Sequence, residues 1–360
     1  MALDANETQA EYAVLLDYNT GTTLLAKNAE TPVGPSSMSK LMTVYLVFEA
    51  LKNGTLHLED TLPVSEKAWR MGGSKMFVGL GTDVKVEDLL RGVIIQSGND
   101  ACIVLAEGLA GSEGAFAEAM NNKAEQLSMT QSHFVNATGW PDEEHVMSVR
   151  DLAILARHLI SDFPEYYHYF AEPEFKYNNI KQYNRNTLIN RGIGADGLKT
   201  GHTEAAGYGL VSSAEKDGRR LILVVNGLGS MKERISESER LLRYGFNSFK
   251  EKTLFRQDTE ITDARVWMGK EGRVPLVLAE EVRLLVSRVG KGLDGFKAHV
   301  EYEGPVPAPI KHGQEIGKLV VTFPMGDQKD YPLFAGADVP ELSGIGKIFA
   351  KLAYLLSSGE

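Results

Sequence analysis

The chain has 360 residues, 43% of them hydrophobic and 24% charged, enough for a substantial core and for two domains. Its formal net charge of -10 argues against non-specific attachment to nucleic acid. A single cysteine, Cys102, excludes an internal disulfide and any cysteine-based metal cluster, and no run of 18 apolar residues is present to span a membrane.

The opening "MALDANETQAEYAV" has no basic segment followed by a greasy one, so no signal peptide is expected within it. "EYAVLLDYNTGTTLLAKN" (11–28) predicts two strands about a turn holding Asn19 and Gly21. "SKLMTVYLVFEALKNG" (39–54) is helical in length and apolar on nearly every side, the pattern of a helix in mid-core, with Ser36 or Ser37 as its cap and Gly54 as its stop. Residues 86–110 predict two helical pieces broken at Ser97-Gly98-Asn99, and "SVRDLAILARHLISDF" predicts another helix, capped by Ser148. Strands and turns follow from Phe175 to Gly229, then a helix over 231–247. Helices set between an N-terminal hairpin and a later cluster of strands predict an α+β fold over residues 1–255, an antiparallel sheet with helices packed on it. "RVPLVLAEEVRLLVSRV" and "EIGKLVVTF" predict a small β domain over 258–337. The last segment, 341–360, spaces Ile345, Ile348, Phe349, Leu352, Leu355 and Leu356 as one helical stripe. Such a helix is too short to cross a bilayer and suits lying on one, or docking on protein.

Three short motifs carry chemistry. In "SMSK", Ser37 and Lys40 stand one helical turn apart, so an uncharged lysine amine can take the serine proton. Burial beside Leu41 and Val44 disfavours the charged amine, and the first helical turn aims free N–H groups at the nucleophile. Ser213 and Lys216 repeat the spacing in "SSAEKDG", where a solvated hairpin tip is expected. In "QSGND", Gly98 lets the chain turn so that Ser97 and Asn99 face one way. The serine can pass a proton between Lys40 and a leaving amine, and the asparagine can hold both Lys40 and a substrate carbonyl. Tyr177-Asn178-Asn179 is a weaker arrangement of the same kind. In "DGLKTGHTEAAGY", Lys199 brings positive charge, Thr200 a hydroxyl, and Gly201 a backbone that an extended ligand can approach.

Together "SMSK", "SGN" and "KTG", with the contexts "RGVIIQSGNDA", "QYNRN" and "DGLKTGHTEAAGY", resemble the penicillin-recognising serine hydrolases, and among them the low-molecular-mass D-alanyl-D-alanine carboxypeptidases. The resemblance implies a β-lactamase/transpeptidase-like domain that takes peptidoglycan stem peptides as substrate and β-lactam antibiotics as covalent inhibitors. It implies Ser37 as nucleophile, Lys40 as general base and Ser97 as proton carrier, with the N–H groups of Ser37 and His202 as the oxyanion hole. Substrate binding then falls to Asn99, Lys199, Thr200, Gly201, His202, Arg185 and Arg234, the cations gripping the terminal carboxylate. No cofactor is implied, and His133 and His145 lack the spacing of a zinc site, so no metal is expected.

A β-lactamase is the main rival, but in "EPEFKYN" Phe175-Lys176 stand where a class A enzyme carries leucine-asparagine, and the middle motif is Ser-Gly-Asn. Penicillin should therefore acylate Ser37 and leave slowly. An endopeptidase cutting stem cross-links, or a largely non-catalytic peptidoglycan-binding or sensing protein, would keep the same motifs. The resemblance further implies an exported mature form on the periplasmic side of the bacterial cytoplasmic membrane, in peripheral contact with it through the C-terminal helix.

Overall fold

The computed structural model describes residues 8–288, 296–322 and 328–344. Tyr12–Asp17 (β1) and Thr23–Lys27 (β2) pair antiparallel. Their turn closes on Asp17, whose Oδ1 accepts from Thr20 N at 2.9 Å and from Thr20 Oγ1 at 2.7 Å, while Gly21 supplies a φ of 73°. A 3-10 turn, Ser36–Ser39, then leads into Lys40–Lys52 (α1). Neither Ser36 nor Ser37 caps this helix as expected. Backbone bonds such as Met38 N to Pro35 O (3.2 Å) use the first N–H groups, so no serine hydroxyl is needed for capping. Ten of the thirteen α1 residues are buried, which makes it the mid-core helix its sequence predicts.

Next come Thr61–Pro63 (β3), Glu66–Arg70 (α2), Asp83–Lys85 (β4, paired with β3), Val86–Ile94 (α3), Asn99–Ala110 (α4), Glu113–Gln126 (α5) and Val149–Asp162 (α6). Sequence reading passes over α5 because its exposed face is polar and only Phe116, Ala117, Met120 and Ala124 are buried. Its start is nonetheless marked by Ser112, whose hydroxyl accepts from Ala115 N at 3.2 Å. Ser148 caps α6 as predicted, accepting from Asp151 N at 3.0 Å. The helices α3, α4 and α6 pack around α1, and α6 covers β1 and the sheet strand Arg219–Leu228 described next.

Glu174–Tyr177 (β5) and Ile180–Tyr183 (β6) form a small hairpin. Ala195–Thr203 (β7), Gly207–Lys216 (β8) and Arg219–Leu228 (β9) complete an antiparallel sheet of order β2-β1-β9-β8-β7, leaving β7 on its edge, and Met231–Ser248 (α7) follows. Between β8 and β9 the loop is Asp217-Gly218, both at positive φ (54° and 74°), the backbone a two-residue hairpin needs. Ser213 is not at a solvated tip. It is buried within β8 and accepts from Arg220 Nη1 at 2.6 Å, while Lys216, three residues along a strand, falls on the opposite face and is exposed. The second serine-lysine pair therefore does not exist as a pair.

The chain divides into two compact units, Met1–Asn247 and Ser248–Glu360. In the second, Phe249–Phe255 (β10), Glu260–Trp267 (β11), Arg273–Leu278 (β12), Val282–Ser287 (β13), Lys297–Tyr302 (β14), Val306–Pro307 (β15), Glu315–Thr322 (β16) and Gln328–Ala335 (β17) follow one another. Six of them form a sheet of order β14-β16-β17-β12-β11-β15, and β10, read from sequence as part of the first domain, pairs with β13. Leu276, Leu284, Leu319 and Leu333 sit in its core. The fold is thus α+β with a small β domain. The expected amphipathic stripe from Ile345 to Leu356 lies outside the described residues, among which no helix is long and apolar enough to cross a membrane.

One buried ion pair ties the β1–β2 turn to β9 and α7. Arg219 Nε donates to Asp17 Oδ2 at 2.6 Å and Arg219 Nη1 donates to Gly245 O at 2.9 Å. Asp17→Ala leaves the guanidinium buried without its anion, so urea unfolding should show a loss of about 3–5 kcal/mol. A loss under about 1 kcal/mol, the scale of an exposed pair, would contradict this role.

Candidate active site

The 3-10 turn before α1 carries Ser37, and the first residue of α1 is Lys40. Lys40 has no exposed surface. Its Nζ lies 2.8 Å from Ser37 Oγ and donates to Thr138 O at 2.5 Å. Burial drives its pKa down from 10.5 to about 8, and the nearby Arg185 charge acts in the same direction. The amine is therefore far easier to deprotonate than an ordinary lysine, while remaining within hydrogen-bond reach of the hydroxyl.

Thr138 belongs to a loop that sequence reading did not single out. Asn136 Oδ1 accepts from Thr138 N (3.1 Å), Gly139 N (2.9 Å) and Trp140 N (3.1 Å), an Asx turn signalled by the asparagine of "NATGW". Gly139 is required there: its φ is 74°, and a Cβ would stand 1.9 Å from Ser36 O. The loop and the nucleophile's turn are thus packed backbone against backbone.

Ser97 and Asn99 arrive from the break between α3 and α4. Ser97 has a φ of 66°, uncommon for a residue with a Cβ, and its Oγ is buried with no hydrogen-bond partner. The expected contact between Ser97 and Lys40 is absent. Asn99 does not hold Lys40 either; its Nδ2 donates to Gly72 O at 2.9 Å. The segment that Asn99 touches is fixed by Asp100, another residue that sequence reading missed. Asp100 Oδ1 accepts from Met76 N at 2.9 Å, and Oδ2 from Phe77 N at 2.9 Å and Val78 N at 3.2 Å. Asn178 and Asn179 form the positive-φ turn of the β5–β6 hairpin, where Asn178 Nδ2 donates to Phe77 O, a structural bond.

On β7, Lys199 and Thr200 are buried, and Lys199 Nζ donates to Thr200 O at 3.0 Å. Burial, with the charge of Lys40, holds the Lys199 amine well below its usual range. Gly201 also serves packing: a Cβ would meet Pro35 O at 3.0 Å and Met38 Cγ at 3.0 Å, so the bare backbone lets β7 close on the nucleophile's turn. His202 is exposed at the sheet edge and stacked on Tyr208, centroids 3.9 Å apart. Arg234 is buried, with Nη1 donating to Gly201 O at 3.4 Å and Nε unpartnered. Arg185 reaches Ser74, donating from Nη1 to Oγ at 2.8 Å.

Ser37, Asn99 and His202 line one cleft of ≈ 250 Å³, together with Gly73, Thr138 and Trp140. The glutamates that might imitate a lactamase base are engaged elsewhere. Arg91 Nε donates to Glu172 Oε2 at 2.8 Å, Lys181 pairs with Glu174 at 2.7 Å, and neither glutamate lines this cleft. A serine beside a depressed-pKa amine, in a cleft with no carboxylate on its wall, is equipped for acyl transfer.

Known proteins resemble this chain over most of its length. Residues 1–229 match the family described as D-alanyl-D-alanine carboxypeptidase, and residues 249–341 match the penicillin-binding protein 5, C-terminal domain. The D-alanyl-D-alanine carboxypeptidase DacA of Haemophilus influenzae is 39% identical over 351 residues, 95% of this chain and 87% of that one. DacA of Escherichia coli K12 is 35% identical over 349 residues, 95% of this chain and 86% of that one. Among solved structures, penicillin binding protein 5 from Haemophilus influenzae superposes with a TM-score of 0.84 at 38% identity, covering 93% of this chain and 98% of that one.

Proposed function

This chain belongs to the D-alanyl-D-alanine carboxypeptidases, and from that membership we propose that Ser37 is its nucleophile and Lys40 the base that activates it. The protein is a serine-type enzyme that removes D-alanine from peptidoglycan stem peptides through an acyl-enzyme and binds penicillin. The observation that carries the residue roles is the 2.8 Å approach of a fully buried amine to the Ser37 hydroxyl.

Neutral Lys40 takes the proton as Ser37 Oγ attacks the carbonyl of the penultimate D-alanine. The tetrahedral oxyanion is received by the N–H groups of Ser37 and His202. Lys199, Thr200, Arg234 and Arg185 hold the terminal carboxylate, while Asn99 holds the peptide carbonyl. Ser97 Oγ, unpartnered in the free enzyme, accepts a proton from the Lys40 ammonium and hands it to the departing amine. A buried hydroxyl left without a partner is disfavoured by about 1–3 kcal/mol, a deficit that the incoming substrate amine removes. Water then hydrolyses the ester with Lys40 again as base.

A cell-wall stem lies outside the cytoplasmic membrane, so the enzyme works in the periplasm, where its last segment lies on the membrane through the stripe from Ile345 to Leu356. A chain ending at Glu341 should lose most of its co-sedimentation with anionic liposomes. Equal partitioning of the two forms would end the anchoring idea.

Lys40 must be neutral to act. With a pKa of about 8, roughly a tenth of it is neutral at pH 7, some 300 times the fraction of an ordinary lysine. Acylation of Ser37 by benzylpenicillin should rise about tenfold per pH unit below 8 and level off above it; a flat profile from pH 6 to 9 would remove Lys40 as base. Lys40→Met should lower D-alanine release and penicillin acylation together by about 10³-fold or more, read from peptide assays and from the mass of the intact chain. Ser97→Ala should slow both steps while leaving the adduct on Ser37 detectable. Release of D-alanine at the parental rate by Lys40→Met would overturn the mechanism.

A further inference from the structure

The loop 135–140 sets its Thr138 carbonyl against Lys40, and the start of α1 with the turn before it grips that loop at three points. Lys40 Nζ donates to Thr138 O at 2.5 Å, and Thr43 Oγ1 donates to Ala137 O at 2.7 Å. The third grip runs through another side chain. Ser39 Oγ lies 2.7 Å from His145 Nε2, and Val135 N donates to His145 Nδ1 at 3.2 Å. Ser39 has no exposed surface and His145 is 2% exposed, so water does not compete for these bonds.

These two bonds fix the tautomer of the ring. A backbone N–H can only donate, so Nδ1 is bare, and Nε2 carries the proton and donates to Ser39 Oγ. The backbone under the ring is anchored in turn. His145 N donates to Asp142 O at 3.1 Å, Val146 N to His133 O at 3.0 Å, and Met147 N to Val33 O at 2.9 Å. Burial keeps the imidazole neutral and brings its pKa down to about 4; of the charges around it Asp142 favours protonation, while His133 and Lys40 oppose it. A protonated ring would turn a second N–H toward the Val135 N–H and break the bond. The neutral ring accepts from the loop and donates to the nucleophile's turn, a pairing that no apolar side chain supplies.

Resting on the role of Lys40 as base, we propose that His145 is a positioning residue: its imidazole pins the loop 135–140 to Ser39, and so keeps the Thr138 carbonyl on the Lys40 amine and the amine beside Ser37. The Asn136 turn sets the shape of the loop; the imidazole sets its distance from the nucleophile's turn. Ser39 is well placed for this, standing between Ser37 and Lys40 in the chain, and a Cβ on Gly139 would lie 3.2 Å from Ser39 Cβ. Without the ring, water enters beside the loop, the enclosure of the Lys40 amine relaxes, and the amine holds its proton more like an ordinary lysine. The other groups that act on that amine, Asp100 and Cys102 on α4, Lys199 on β7 and Arg185, belong to other elements and keep their places.

The test uses the full chain carrying His145→Ala, His145→Gln, Ser39→Ala, or His145→Ala with Ser39→Ala, with folding followed by melting temperature. Acylation of Ser37 by benzylpenicillin is read from the mass of the intact chain between about pH 6 and about pH 10. In His145→Ala it should slow about tenfold or more, and the break in its pH profile should move up from about 8 by about one pH unit. Release of D-alanine from Nα,Nε-diacetyl-L-lysyl-D-alanyl-D-alanine should lose kcat while KM stays within about twofold. His145→Gln, whose amide nitrogen can donate to Ser39 Oγ, should recover part of the rate and bring the break back toward its parental position. Ser39→Ala should behave like His145→Ala, and the pair should lose little beyond either, since both cut one link. A break unmoved in His145→Ala and Ser39→Ala, or losses that multiply in the pair, overturns the proposal; where His145→Ala does not fold, the break in Ser39→Ala decides alone. A flat profile in the parent enzyme overturns Lys40 as base instead, and the link is then judged by the pair, where multiplying losses overturn it.

Discussion

The amine of Lys40 is enclosed on all sides, and the rest of the site is arranged around the consequences of that enclosure. An ammonium removed from water is disfavoured unless an anion or several acceptors replace the lost solvation. Here the replacements are modest: one carbonyl, Thr138 O, and one hydroxyl, Ser37 Oγ. Two acceptors are enough to keep the amine in place but too few to hold its proton firmly. The same geometry that positions the base therefore also weakens its grip on a proton, and position and basicity need no separate explanation.

Holding that geometry falls mainly to backbone. Asn136 gathers three N–H groups so that the Thr138 carbonyl faces Lys40, and Gly139 allows the loop to lie against Ser36. Gly201 performs the matching task from the sheet edge, letting β7 approach Pro35 and Met38. Asp100 fixes the segment behind Asn99 through three N–H groups in a row, Met76 to Val78. A side chain larger than hydrogen at either glycine would move the nucleophile relative to its base, and displacements of about 1 Å are enough to cost two orders of magnitude in rate. Rigidity of this kind accounts for a serine held at positive φ at position 97, where strain is tolerated because both flanking helices are anchored in the core.

This division of labour also explains what could be read in the sequence. Ser37 with Lys40 was legible because helical spacing brings i and i+3 together, and the apolar run after Lys40 announced its burial. The break at Ser97-Gly98-Asn99 and the later sheet were legible from periodicity. Asp100, Asn136 and Thr138 were not: Thr138 works through a carbonyl that every residue type possesses, and Asp100 and Asn136 through side-chain oxygens whose backbone partners tertiary packing chooses; only the turn-forming asparagine of "NATGW" left a trace. Gly201 stands out in the sequence for its missing side chain, but which neighbour exploits it depends on tertiary packing. Of Ser213 and Lys216, read as a solvated hairpin tip, only Lys216 lies at one, because a strand sends side chains three residues apart to different faces and buries Ser213.

The crowding of cations completes the physical picture. Lys40, Lys199 and Arg234 are buried, and Asp100 and Glu172 are occupied with other tasks: Asp100 with backbone N–H groups, Glu172 with Arg91. In the proposed mechanism the counter-ion of the site is the substrate's own terminal carboxylate. In that mechanism free D-alanine, departing after acylation, carries the carboxylate away, and the remaining positive groups again favour a neutral Lys40, the form the proposed deacylation requires. Opening a β-lactam ring breaks the same kind of bond but leaves the carboxylate-bearing fragment attached to the acyl group. On the proposed roles, the anion would then stay among the cations, hold Lys40 protonated and let the ester persist. One electrostatic arrangement would, on the proposed roles, turn over the peptide and retain the antibiotic.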